Sequence, residues 1–186
     1  MFAAALGVLA AGVSLWWLPR CVREERASLL YKEARYGPSS NNVFRVLSLA
    51  ERAYAIDPAQ YHFWATAADG AWSARFAPGG AARDAELRDS AARWCRRTLD
   101  ANPWHPKARV LRAAMLAEID PQEALRYWRH CVDWQYWEPF NHAFLAELHG
   151  RCGDFAQAAA VLEGIRGMSY YEETRAILDR MARQAR

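Results

Sequence analysis

The sequence predicts an all-α fold, an N-terminal transmembrane helix followed by a helix-hairpin solenoid, and three observations carry that prediction. Apolar residues recur at helical spacing along most of the chain and are interrupted only at Pro, Gly and Asn clusters. The stretch from Ala143 to Ile165, AFLAELHGRCGDFAQAAAVLEGI, reads as two short amphipathic helices joined by Gly153-Asp154. An uncharged run from Phe2 to Leu18, FAAALGVLAAGVSLWWL, opens the chain.

In the hairpin, the first helix carries Phe144, Leu145, Ala146 and Leu148 on one face, and the second carries Phe155, Ala158, Ala159, Val161 and Leu162. Neither helix can bury its apolar face alone, so a stack of hairpins is required. Leu145-Ala146, His149, the Gly153-Asp154-Phe155 turn, Ala158 and Leu162 make this hairpin resemble the tetratricopeptide (TPR) family. That resemblance implies a curved solenoid in which small residues let paired helices approach closely.

A chain of 186 residues, 53% hydrophobic and 24% charged, is long enough for a globular domain with a substantial core. The net charge of +3 is mild, and Arg and Glu alternate from Arg83 to Arg97 instead of gathering on one basic face, which argues against nucleic acid. Nine Trp are expected to wedge between helices whose other residues are mostly Ala. Cys21, Cys95, Cys131 and Cys152 form no CxxC pair and read as small apolar fillers; their even number leaves disulfides open if the domain lies outside the cytoplasm.

Residues 1–19 read as a transmembrane anchor. The run from Phe2 to Leu18 would reach about 25 Å, slightly short of a bilayer core of about 30 Å. Trp16, Trp17 and Arg20 are expected at the membrane interface, and Ala3, Gly7 and Ala11 at a face smooth enough for another membrane helix to pack on. A cleaved signal peptide would want a basic start, which Met1-Phe2 lacks, so a retained single-pass anchor is expected. Arg20, Arg23, Arg26, Lys32 and Arg35 follow the run, and by the positive-inside rule they place the soluble domain in the cytoplasm; the extracytoplasmic side stays open.

Residues 20–40 read as a juxtamembrane helix, with Val22, Leu29, Leu30 and Ala34 as its stripe, ended by the GPSSNN loop. The solenoid is expected over 41–186. Asn41 or Asn42 caps its first helix, which carries Val46, Leu47, Ala50 and Ala53 and stops at Asp57-Pro58. A helix from Tyr61 to Phe76 follows, with Trp64, Ala67, Ala68 and Ala71 at the spacing of a first TPR helix. Its partner, Ala81 to Ala101, is displaced by the APGGAARD insertion, and Pro103 falls 45 residues after Pro58 where the family repeats every 34 or so. Helices from Pro106 to Ile119 and Pro121 to Trp134 precede the hairpin, and MSYYEETRAILDRMARQAR forms a terminal cap.

The chemistry-bearing residues form no recognisable constellation. His142, His149 and Cys152 share helical spacing, but a metal would need ligands from another helix, and both histidines stand where the repeat packs an aromatic ring. No Gly-rich phosphate loop, nucleophile elbow or Ser/His/Asp order is present, so no catalytic, metal or cofactor-binding residue is expected. The TPR resemblance instead implies a concave groove from one face of each first helix: His62, Asp69 and Trp72, then Arg109 and Ala113, then Phe144, Glu147 and Arg151. Aromatics there would bury a partner peptide or helix, and the charges would set its register.

The expected function is therefore a non-enzymatic, membrane-anchored TPR-like adaptor or assembly subunit of a larger complex, with integral membrane proteins as partners. The hydrophobic segment, the Arg-flanked helix and AERAYAIDP together also resemble the C-terminal layout of O-antigen ligase or polymerase proteins. That resemblance implies a role in surface polysaccharide assembly as the alternative.

Overall fold

The computed structural model describes residues 2–38 and 42–185, with side chains over 16–38 and 42–185. These residues form nine α-helices and no strand: α1 (Phe2–Tyr36), α2 (Val43–Ile56), α3 (Tyr61–Ala74), α4 (Asp84–Ala101), α5 (Pro106–Ile119), α6 (Pro121–Val132), α7 (Pro139–Arg151), α8 (Phe155–Glu163) and α9 (Tyr171–Gln184). The all-α expectation holds. The chain divides into two compact units, Met1–Ala108 and Arg109–Arg186, and the boundary falls inside α5.

The anchor expectation does not hold. Among the described residues, no helix is long and apolar enough to cross a membrane. The physical reason lies in α1: the uncharged run is too short for a bilayer core, and the same helix continues into Arg20, Arg23, Glu24, Glu25 and Arg26. Pro19 does not end it, because one lost backbone hydrogen bond is tolerated between Leu18 and a long run of helix formers. The single-pass membrane localisation is thus corrected. Trp16 and Trp17 are exposed on this helix, and Arg20 pairs with Glu24 at 3.1 Å. The proposed packing face of Ala3, Gly7 and Ala11 lies outside the described side chains.

In the first unit, Asn42 caps α2 by accepting from the backbone N–H groups of Phe44 and Arg45 at 3.1 and 3.2 Å, and Asp57 ends it in the extended conformation that a following proline demands. Leu49, Ala50 and Ala53 turn inward. The core is aromatic. Trp64 of α3 stacks on Trp94 of α4 with centroids 5.3 Å apart, and Tyr54 of α2 meets both rings edge-on. Tyr31 of α1 stacks on Phe63 at 4.0 Å, so the second half of α1 belongs to this core, with Ala27 and Ala34 buried. The insertion after α3 is pinned by nearly buried Arg75, which pairs with Asp84 at 2.6 Å and lies over Trp72.

In the second unit, Asp120 caps α6 ahead of Pro121, and Asp154 caps α8 after Gly153, whose φ of +80° is the left-handed geometry glycine adopts at no steric cost. The α7–α8 hairpin is the one expected from Gly153-Asp154. Trp128, Leu125, Ala124 and Cys131 of α6 pack with Leu145 and Leu148 of α7, while Ala146, Ala158, Leu162 and Leu178 join α7, α8 and α9. The expectation that Trp residues wedge between helices holds for Trp64, Trp94 and Trp128; Trp104, Trp134 and Trp137 are exposed. No disulfide joins the four cysteines, and Cys95 and Cys131 are buried.

Candidate partner-binding surfaces

In the first unit, an open groove of about 420 Å³ runs between the C-terminal end of α1, the start of α2 and the far half of α3. Its lining is small or apolar: Ala34 from α1, Val43 and Val46 from α2, and Thr66, Gly70 and Ser73 from α3, with Arg35 at one side. Thr66, Gly70, Ser73 and Ala77 are spaced by four, three and four positions, which is one face of a helix extended by a turn. A narrower apolar slot lined by Tyr31, Leu49, Phe63 and Ala67 shares Ala34, Arg35, Val46 and Thr66 with it. The Arg35 guanidinium is not loose; it donates to the Tyr31 hydroxyl at 2.6 Å.

Gly70 is the unusual member. It sits inside α3, where glycine weakens a helix by roughly 1 kcal/mol relative to alanine. A Cβ built at Gly70 would meet nothing within 4 Å, so no neighbouring element of the fold requires a glycine here. By contrast, His62, Asp69 and Trp72, expected from the sequence to form this face, do not line the groove. His62 and Asp69 are exposed; the His62 ring lies against Tyr61 at 4.1 Å, and Trp72 is half-buried beneath Arg75. The expected inward stripe of α3, Trp64, Ala67, Ala68 and Ala71, is buried, and the groove is instead walled by Thr66, Gly70 and Ser73 beside it. A lone glycine in a helical pattern was the available signal.

In the second unit, Phe144, Glu147 and Arg151 do fall together along one stripe of α7, continued upstream by Phe140. Phe140 and Phe144 stack with centroids 6.0 Å apart, Phe144 meets buried Trp128 edge-on, and Phe140 touches Tyr170. Burial pushes the Glu147 carboxyl above its ordinary range, Arg151 draws it back, and Glu173 adds to the rise. Arg109 and Ala113 are placed in the interior instead. Ala113 is fully buried, and Arg109 donates from Nε to the Cys131 thiol at 3.2 Å.

Several buried polar groups of this unit are held by the fold. Burial, only partly offset by Arg109, raises the Cys131 thiol, and burial pushes Tyr127 up to about 12, so both stay protonated at neutral pH. His149 is buried, and its Nε2 lies 3.3 Å from the Arg129 guanidinium. Arginine can only donate, so Nε2 is the acceptor and the proton sits on Nδ1, 3.6 Å from the Asp154 carboxylate. His142 donates from Nε2 to the Tyr136 carbonyl. Among the described residues no three His, Cys, Asp or Glu side chains gather as metal ligands.

No protein-family model, no curated protein and no solved structure matches the chain.

Proposed function

We propose that the chain is a non-enzymatic adaptor, a TPR-like array of helical hairpins whose α1–α2–α3 groove holds a short helix or extended segment of a partner polypeptide. The observation that carries this reading is Gly70: a destabilising helix-interior glycine, in open space, on the wall of an apolar groove. Glycine at such a place admits close approach of another backbone, and the small residues on either side of it extend the same surface. Of the polar residues lining the groove, Arg35 already donates to the Tyr31 hydroxyl and Thr66 to the His62 carbonyl, which suits an apolar segment better than a small polar metabolite. The polysaccharide-assembly alternative depends on the hydrophobic anchor and is not carried forward.

The test is quantitative co-purification from the native cells, comparing the wild-type chain with Gly70→Leu. A Cβ at position 70 has open space around it, and the longer leucine side chain is expected to fill the groove. The expected result is a normally folded variant that has lost a stoichiometric partner. An unchanged set of companions at unchanged stoichiometry would contradict the reading.

A further inference from the structure

The α6–α7 connection, Asp133 to Glu138, has the sequence DWQYWE: three aromatics bracketed by two carboxylates. It is held in place from below. Buried Asn141 donates from Nδ2 to the Gln135 carbonyl at 2.9 Å, the Glu138 N–H reaches the same carbonyl at 3.2 Å, and His142 takes the Tyr136 carbonyl. Asn141 is fixed in turn, because its own carbonyl accepts from the indole N–H of buried Trp128 at 3.0 Å. Yet Tyr136 and Trp137 stand 68% and 66% exposed, their rings 5.4 Å apart and edge to face. The loop thus presents ordered aromatics outward, and that arrangement needs little entropy to be given up on binding.

The rest of the chain indicates what such rings receive. Its aromatic faces are repeatedly covered by its own guanidinium groups: Arg75 over Trp72, Arg83 over Phe44, Arg97 over Tyr54 and Trp94, Arg112 over Tyr127. Among the described residues no guanidinium lies over Tyr136 or Trp137, and neither Asp133 nor Glu138 is ion-paired. Negative ring faces and two exposed carboxylates on one ordered loop make a local acceptor for cations on a chain whose net charge is +3. We propose that this loop docks an arginine-rich segment of a partner protein, one guanidinium seating on the Tyr136–Trp137 pair and its charge balanced by Asp133 and Glu138.

The full chain is titrated calorimetrically at low ionic strength with a capped octapeptide of alternating Gly and Arg, and with the matching Gly-Gln peptide. The Arg peptide is expected to bind, and the Gln peptide not, although the net positive charge of the chain opposes any non-specific attraction. Asp133→Asn with Glu138→Gln, and separately Tyr136→Ala with Trp137→Ala, should each weaken binding about tenfold with circular dichroism unchanged. The charge-neutral pair keeps the test informative if the aromatic pair fails to fold. Equal binding of the two peptides, no binding of the Arg peptide, or affinity indifferent to the Asp133 and Glu138 changes would overturn the proposal. So would a concentration-dependent dimer abolished by Trp137→Ala, which would give the loop to a second copy.

Discussion

Gly150 of α7 passes so close to Leu178 of α9 that a methyl group at position 150 would stand 2.6 Å from the Leu178 Cδ2 atom and 3.3 Å from the Met181 sulfur. Here the neighbouring helix supplies the reason for the missing side chain. Gly150→Ala sets a propensity gain of roughly 1 kcal/mol against overpacking of about 1–3 kcal/mol, so a net loss of about 1 kcal/mol is expected in urea unfolding. Adding Leu178→Ala should reverse the sign of the Gly150→Ala effect. Additive effects in that double-mutant cycle would contradict the close contact.

Gly70 predicts the opposite outcome. With no atom beyond the adjoining backbone of its own helix within 4 Å of a Cβ there, Gly70→Ala gains helix propensity at no steric cost and should stabilise the protein by about 1 kcal/mol. A loss of stability would mean that the fold itself requires the glycine. The two helical glycines therefore separate packing from a role outside the fold.

Stability should fall below neutral pH through two buried histidines. Burial, His62 and Lys107 lower the pKa of His105, while burial and the Arg129 charge lower that of His149 against the opposing pull of Asp154. A histidine whose folded pKa lies below the unfolded 6.5 binds fewer protons folded than unfolded, so stability is full above 6.5 and declines as pH drops toward the folded values. Protonating His149 also turns its Nε2 from an acceptor into a donor facing Arg129. His149→Gln, which retains an acceptor for Arg129, should flatten part of the decline below pH 6.5. An unaltered profile would contradict the assignment.

Glu147 works in the other direction. Its pKa is raised from 4.5, so the folded state holds the proton longer than the unfolded state, and Glu147 costs stability as pH climbs from 4.5 through the folded value. Glu147→Gln should raise the urea midpoint at neutral pH and leave it nearly unchanged at pH 4 or below. A lower neutral-pH midpoint would mean that the attraction between Glu147 and Arg151 outweighs burial.

What was legible in the sequence follows from how sharply the residues punctuate it. Asp57-Pro58 and Gly153-Asp154 fix helix ends by backbone geometry, which depends on few neighbours, and both breaks fall where expected. The inward stripe of α3, Trp64, Ala67, Ala68 and Ala71, was legible from its spacing, whereas the groove beside it was not, because it depends on where α1 and α2 pack against Thr66, Gly70 and Ser73. Arg109 was expected in the groove from the TPR resemblance; the Cys131 thiol gives its guanidinium a buried acceptor, which only tertiary contact reveals. The run from Phe2 to Leu18 carried composition without enough length. The exposed aromatics at 134–137 depend on Asn141 and His142 holding the loop, a relation invisible in apolar spacing.

The most direct test of the adaptor reading is site-specific photocrosslinking in the native cells, with a diazirine amino acid at position 70 and, as a control, at the exposed position 89 of α4. The groove predicts one discrete adduct with a partner polypeptide from position 70, absent from position 89 and suppressed when partner expression is removed. No adduct from position 70, or the same adducts from both positions, would contradict a partner seated against Gly70.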